Sequence, residues 1–116
     1  MTFQEQSSTG QENKQDGEVA VEELVDLEEF AKANRRPPRA KQYRIRIDRE
    51  QFVVDVPAMT GRELLLLSGK NPPEQFSIFQ KLRGGQTQKI GLDEKADFTT
   101  PGVERFMTLP LDQTEG

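Results

Sequence analysis

Residues 43–67 carry the strongest secondary-structure pattern in this chain. Apolar side chains recur at every second position over residues 43–47 and again over residues 51–56, which is the period of a half-buried strand. The three residues between these runs suit a hairpin loop. Thr60 then opens a helix capping box, and Gly69 suits the end of that helix. The stretch therefore predicts a strand, a tight turn, a second strand and a helix.

The residues after Gly69 predict the rest of a sheet. Alternating patterns indicate three more strands, at residues 75–81, 88–92 and 105–109. A proline pair (72–73) precedes the first of these strands and a glycine pair (84–85) follows it, and Phe98 is expected to be a buried anchor in a polar connection. The order is β-β-α-β-β-β, with the first and last strands parallel at the centre of the sheet. This order predicts an α+β fold of the ubiquitin-like β-grasp type.

The N-terminal region differs from this predicted domain. Residues 1–17 are polar and are expected to be disordered, because they cannot bury enough apolar surface to offset the entropy of ordering. Residues 18–34 predict one amphipathic helix from apolar side chains at helical spacing. Two interpretations of this helix stay open. It either docks on its own domain or folds on a partner protein, with Leu24 and Leu27 as the candidate contacts.

The predicted segments also differ in charge. The net charge is −4, yet residues 1–30 are strongly acidic and residues 31–49 strongly basic. A basic run can bind nucleic acid, but the acidic neighbour competes for its cations, so no nucleic-acid partner is predicted. The segments, in chain order, are a disordered tail (1–17), an amphipathic helix (18–34), a basic proline-containing linker (35–42), the β-grasp domain (43–110) and a C-terminal tail (111–116).

Two absences limit the possible functions. The chain has no Cys and no His, which removes thiolate nucleophiles, the usual general base and the commonest metal ligands. A stand-alone enzyme and a metal site are therefore not expected. The sequence contains no run of about 18 apolar residues, so no membrane span is predicted. The first residues lack the features of a secretory signal, so a reducing, cytoplasmic setting is the default expectation.

Four segments of the chain are distinctive in combination: DLEEFAKANRRPP before the domain, YRIRID in the first strand, TGRELLLLSGKNPP across the helix, and GVERFMTLP at the last strand. Through these segments, residues 25–110 resemble the bacterial multiubiquitin family of ubiquitin-like proteins. The chain has no internal repeat, so the resemblance is to a single-copy member.

The resemblance implies a protein modifier. The carboxylate of Gly116 would be activated as an acyl-adenylate by an activating enzyme that uses ATP, so the chain itself needs no cofactor. A conjugating enzyme would then join it to a target protein, for example through an isopeptide bond, and a deconjugating peptidase would release it. The tail residues expected to guide this carboxylate into the enzymes are Leu111, Asp112, Gln113, Thr114 and Glu115.

Other residues are candidate contacts for partner proteins. Alternation places Arg44, Arg46 and Val53 on the outer face of the predicted sheet. A second hypothesis uses this face without conjugation: the chain would be a β-grasp scaffold that binds partners through the sheet and the acidic helix. The two hypotheses differ in whether Gly116 is required.

Overall fold

The computed structural model describes residues 22–111, which form eight β-strands and two α-helices. The strands are β1 (Glu22–Asp26), β2 (Ala40–Ile47), β3 (Glu50–Val54), β4 (Ala58–Thr60), β5 (Phe76–Leu82), β6 (Thr87–Ile90), β7 (Lys95–Asp97) and β8 (Val103–Pro110). The helices are α1 (Leu27–Lys32) and α2 (Gly61–Leu67). The tail predicted to be disordered, residues 1–17, lies outside the described residues, as do residues 18–21 and 112–116.

The main sheet has β2 and β8 at its centre. β2 forms an antiparallel hairpin with β3 and runs parallel to β8, and β8 continues through β5 to β6 in antiparallel pairs. A separate two-stranded sheet joins β4 to β7. The first and last strands of the predicted domain are therefore parallel neighbours, which confirms the β-grasp arrangement.

β1 corrects the prediction of a single helix over residues 18–34. Within the described part of that segment, β1 runs parallel to the first half of β2, with Val25 opposite Tyr43, and the helix begins at Leu27. Pairing with β2 satisfies backbone groups along an edge that a helix would leave open to water. Helical spacing in the sequence therefore describes α1 but not the strand before it.

Asp26 sets the boundary between β1 and α1. Its carboxylate accepts hydrogen bonds from the backbone N–H groups of Glu28 (3.0 Å) and Glu29 (3.3 Å), which caps the first turn of the helix. The predicted linker, residues 35–42, is also shorter than expected, because β2 begins at Ala40. β2 therefore begins before Tyr43, where its apolar alternation starts, because its first residues pair with β1.

β1 and β8 lie one after the other along the same edge of β2. Tyr43 pairs with Val25 of β1 on one side and with Val54 of β3 on the other. At the far end of β2, Ile47 pairs with Phe106 of β8 on the side opposite β3. α1 packs against both β2 and β8. The N-terminal segment therefore completes the part of this edge that β8 does not cover.

The core is built around three aromatic rings. The Phe98 ring lies 5.7 Å from that of Tyr43 and 6.2 Å from that of Phe106, measured between centroids, and Phe98 is fully buried as predicted. Leu64 and Leu65 of α2 are also fully buried in this cluster. β1 and α1 contribute three residues that are each 1% exposed: Val25, Leu27 and Ala31.

α2 begins and ends as the sequence predicts. The Glu63 N–H donates to the Thr60 hydroxyl oxygen (3.1 Å), and the Thr60 N–H donates to the Glu63 carboxylate (2.8 Å), which completes the capping box. Gly69 has a φ of 81°, the left-handed conformation expected after a helix. The connection at residues 93–99 is more ordered than expected, because β7 pairs with β4 and buries Ala96.

Candidate functional site

The outer face of the sheet carries an open cleft between β2, β5 and β8. Its floor is apolar: Phe79 of β5 lies opposite Met107 of β8, and Leu109, which is 57% exposed, also lines the cleft. The cleft has a volume of about 510 Å³. Its cationic lining consists of three arginines, Arg46, Arg49 and Arg105. Phe79 and Met107 are partly buried and Leu109 is exposed, and accessible apolar surface beside guanidinium groups is typical of a protein-binding surface.

One carboxylate from α1 contacts the cations of this cleft. Glu28 Oε1 lies 3.3 Å from a terminal guanidinium nitrogen of Arg46, and its Oε2 lies 3.9 Å from Arg105 and 3.6 Å from Lys32 Nζ. The Glu28 side chain is only 12% exposed, so these charges are weakly screened by water. Glu28 thus supplies one negative charge to a group of three positive charges, of which Lys32 lies on α1 and the two arginines lie on the sheet.

Asp48 links β2 to β8 at one end of the cleft. Its Oδ1 accepts a hydrogen bond from the Thr108 N–H (2.9 Å), its Oδ2 accepts one from the Thr108 hydroxyl (2.6 Å), and Lys70 Nζ lies 3.5 Å from Oδ2. Partial burial raises the pKa of Asp48, but the bonds from Thr108 and the charge of Lys70 outweigh burial. The net pKa of Asp48 is therefore lowered from its ordinary value of 3.8.

Asp48→Asn is expected to reduce the free energy of unfolding by about 1 kcal/mol near neutral pH. Asp48 has a φ of 57°, which Asn also tolerates, so the change removes charge without adding backbone strain. Since the folded pKa of Asp48 is lowered, the contribution is fully present above its ordinary pKa of 3.8 and is lost as pH falls through the folded pKa. Urea unfolding of both proteins should show a difference near neutrality that shrinks in acid. A difference that stays constant into strong acid would contradict this account.

The outer-face residues chosen from the sequence occupy two different places. Arg46 lines the cleft, whereas Arg44 and Val53 are paired across β2 and β3 outside it. Val53 is 49% exposed, and the Arg44 guanidinium lies 3.5 Å from the Asp26 carboxylate. Their role in partner binding stays a prediction.

The two leucines predicted as partner contacts differ in exposure. Leu24 lies on β1 and is 37% exposed, so it presents apolar surface. Leu27 is 1% exposed and belongs to the core cluster, so the prediction that it contacts a partner is wrong for the folded chain. The reason is that α1 begins at Leu27 and packs its first residue against the sheet.

The C-terminal tail begins where β8 ends. Leu111 is 42% exposed, and its backbone N–H donates to the Gln75 carbonyl oxygen at 2.8 Å, just beyond the last pair between β5 and β8. The other predicted tail contacts, Asp112, Gln113, Thr114 and Glu115, lie outside the described residues, as does Gly116. Their contribution stays a prediction.

Several residues of the cleft are not predicted as site residues by the sequence. Phe79, Met107 and Leu109 form its apolar floor, and Arg105 supplies a cation. Alternation along the last strand places residues 105, 107 and 109 on one face, which was an available signal. Their position beside Phe79 and Arg46 depends on the strand order, which brings β2, β8 and β5 together.

The fold defines a ubiquitin-like β-grasp protein. The sequence model of the family described as Multiubiquitin matches residues 43–110. The chain therefore belongs to the multiubiquitin family. The matched region covers β3 to β8 and part of β2, and it begins after β1 and α1. No curated protein and no solved structure matches the chain.

Two further structural findings concern residues 22–111. None of their helices has the length and hydropathy needed to cross a lipid bilayer. No group of three acidic side chains in the same residues is arranged so that it could hold a metal ion.

Proposed function

We propose that this chain is a ubiquitin-like modifier of a bacterial, cytoplasmic conjugation pathway, attached to target proteins through the carboxylate of Gly116. Membership of the multiubiquitin family is the observation that carries this proposal. The exposure of Leu111, the residue directly after β8, is compatible with it.

The proposed chemistry takes place in partner enzymes. The carboxylate attacks the α-phosphate of ATP and releases pyrophosphate, which gives the acyl-adenylate. A thiolate of a partner enzyme displaces AMP to form a thioester, and an amine or hydroxyl of the target then displaces the thiol. The modifier supplies a carboxylate without a side chain beside it, and its folded domain supplies the surface that partners recognise. A deconjugating peptidase would reverse the last bond by hydrolysis.

Removal of Gly116 is expected to abolish covalent attachment. The full chain would be co-expressed with candidate activating and conjugating enzymes from its own genome, purified under denaturing conditions and measured as intact masses. Conjugation predicts species whose mass is the sum of chain and acceptor less one water. A variant lacking Gly116 should give none, whereas Gln86→Ala, which changes an exposed residue outside the tail and the cleft, should still give them. Equal adducts with and without Gly116 would contradict the proposal.

The cleft favours a second candidate function, a protein-binding scaffold that is never conjugated. Phe79, Met107 and Leu109 offer apolar surface without any need for the tail. Denaturing conditions distinguish the two functions, because a scaffold releases its non-covalent partner and a modifier stays covalently joined to its target. If partners co-purify natively and all of them dissociate in denaturant, the scaffold function replaces the modifier function.

A further inference from the structure

The cleft carries more positive than negative charge. Of its two nearest carboxylates, Asp48 is held by Thr108 and Lys70, which leaves Glu28 to face Arg46 and Arg105. Arg49 has no ion pair with any residue of the part that the structure describes. The side chains that line this surface therefore favour a ligand with negative charge.

The guanidinium groups retain unused hydrogen-bonding capacity. Arg46 reaches a Glu28 carboxylate oxygen through one terminal nitrogen, and its Nε is buried without a hydrogen-bond partner among residues 22–111. Arg105 lies 3.9 Å from the same carboxylate, which is too far for a hydrogen bond. Arginine forks pair best with carboxylates that they contact through two nitrogens. One shared glutamate therefore leaves both arginines able to accept a further carboxylate.

The apolar floor selects among anionic ligands. Phe79 and Met107 are cross-strand neighbours, and Leu109 exposes more than half of its surface. A ligand that only carries charge would leave this surface in water. A peptide that places an apolar side chain beside carboxylates would bury the floor and pair the arginines at the same time. Charge and hydrophobicity together therefore indicate an acidic peptide segment that contains leucine-like side chains.

We propose that this cleft binds an acidic, leucine-containing peptide segment of a partner protein, and that Glu28 weakens that binding by competing for Arg46 and Arg105. Glu28 acts as an internal substitute for one carboxylate of the partner. α1 holds this carboxylate in place because Leu27, the residue before it, is anchored in the core. The inference is independent of conjugation through Gly116, so either can fail without the other.

The test measures binding of a fluorescein-labelled peptide, Gly-Asp-Leu-Glu-Leu-Asp-Gly, to the full chain by fluorescence anisotropy. Glu28→Gln keeps a hydrogen-bond acceptor but removes the competing charge, so it is expected to tighten binding about fivefold. Glu29→Gln is the matched control: it removes the same charge from an exposed neighbour that has no ion pair within residues 22–111, and less than a twofold change is expected.

Three further measurements define the site. Arg46→Gln combined with Arg105→Gln should weaken binding at least tenfold. Leu109→Glu adds a negative charge at an exposed position without touching α1, so it tests the cleft even if a change at Glu28 impairs folding. It should also weaken binding. Peptides in which amides replace the carboxylates, or serine replaces leucine, should bind less tightly than the original.

Several results would overturn the proposal. One is that folded Glu28→Gln binds the peptide no more tightly than the wild type does. Another is that Glu29→Gln tightens peptide binding as much as Glu28→Gln does. A third is that neither the wild type nor Glu28→Gln binds the peptide. Competition by single-stranded DNA that is insensitive to Met107→Ser would assign the arginines to nucleic acid. Self-association of the chain that blocks the peptide and is lost in Leu109→Glu would assign the floor to a second copy of the chain.

Discussion

Leu27→Ala is expected to lower the free energy of unfolding by about 2–5 kcal/mol, although Leu27 lies outside the region that matches the family. Leu27 is 1% exposed and packs in the same cluster as Tyr43 and Phe106. Truncation removes buried methyl groups and leaves a cavity that the rigid sheet fills poorly. A small domain has a total stability of only about 5–15 kcal/mol, so this loss is a large fraction of it and should clearly lower the urea concentration at the midpoint of unfolding.

Urea unfolding followed by circular dichroism measures this effect. Leu24→Ala is the matched control, because it removes the same side chain from a position that is 37% exposed in the same segment. It should change the free energy of unfolding by no more than about 0.5 kcal/mol. If both variants are as stable as the wild type, β1 and α1 do not belong to the cooperative unit. Equal destabilisation by both would contradict the burial difference on which the prediction rests.

Gly61→Ala is expected to destabilise the fold by about 2–3 kcal/mol or to prevent folding. Alanine usually stabilises a helix relative to glycine, so the sign is opposite to that expected from helix propensity. The reason is that a Cβ at Gly61 would overlap the backbone carbonyl oxygen of Gly91, which cannot move as a flexible side chain would. The hydrogen bond from the Gly61 N–H to the Glu94 carbonyl oxygen (3.0 Å) would be disturbed as α2 moved away.

Gly91→Ala provides the comparison for this prediction. An added Cβ there would meet only the Glu94 side chain at 3.5 Å, which is ordinary contact. Thermal unfolding should therefore place the melting temperature of Gly91→Ala near that of the wild type and that of Gly61→Ala well below it. If Gly61→Ala melts at or above the wild-type temperature, the close approach between α2 and the Gly91 loop is incorrect.

The sequence was sufficient to predict elements whose signals are local. The β2–β3 hairpin follows from alternation, and α2 follows from the capping residues Thr60 and Glu63 and from Gly69. Phe98 was recognised as an anchor because it is a lone aromatic residue in a polar connection. In each case a few neighbouring residues contain the information that determines the structure.

The sequence does not predict the elements that depend on distant partners. β1 forms because an edge of β2 is available for pairing, and no pattern within residues 22–26 indicates that pairing. β7 is short and mostly polar, and only its pairing with β4 makes it a strand. The cleft requires three strands to be neighbours, and the contact between Glu28 and Arg105 joins opposite ends of the chain. Periodicity describes the face that a residue occupies but not which residues lie beside it.

The most direct test of a modifier identifies the covalent bond itself. Residues 106–116 contain no Lys or Arg, so trypsin should leave all of them on the acceptor after it cleaves at Arg105. We expect mass spectrometry of purified adducts to find branched peptides in which the Gly116 carboxyl group is joined to an acceptor side chain. Release by hydroxylamine would identify the bond as an ester, and resistance would identify an amide. Recovery of residues 106–116 only with a free carboxyl group, under conditions in which the same enzymes load another modifier, would contradict the account.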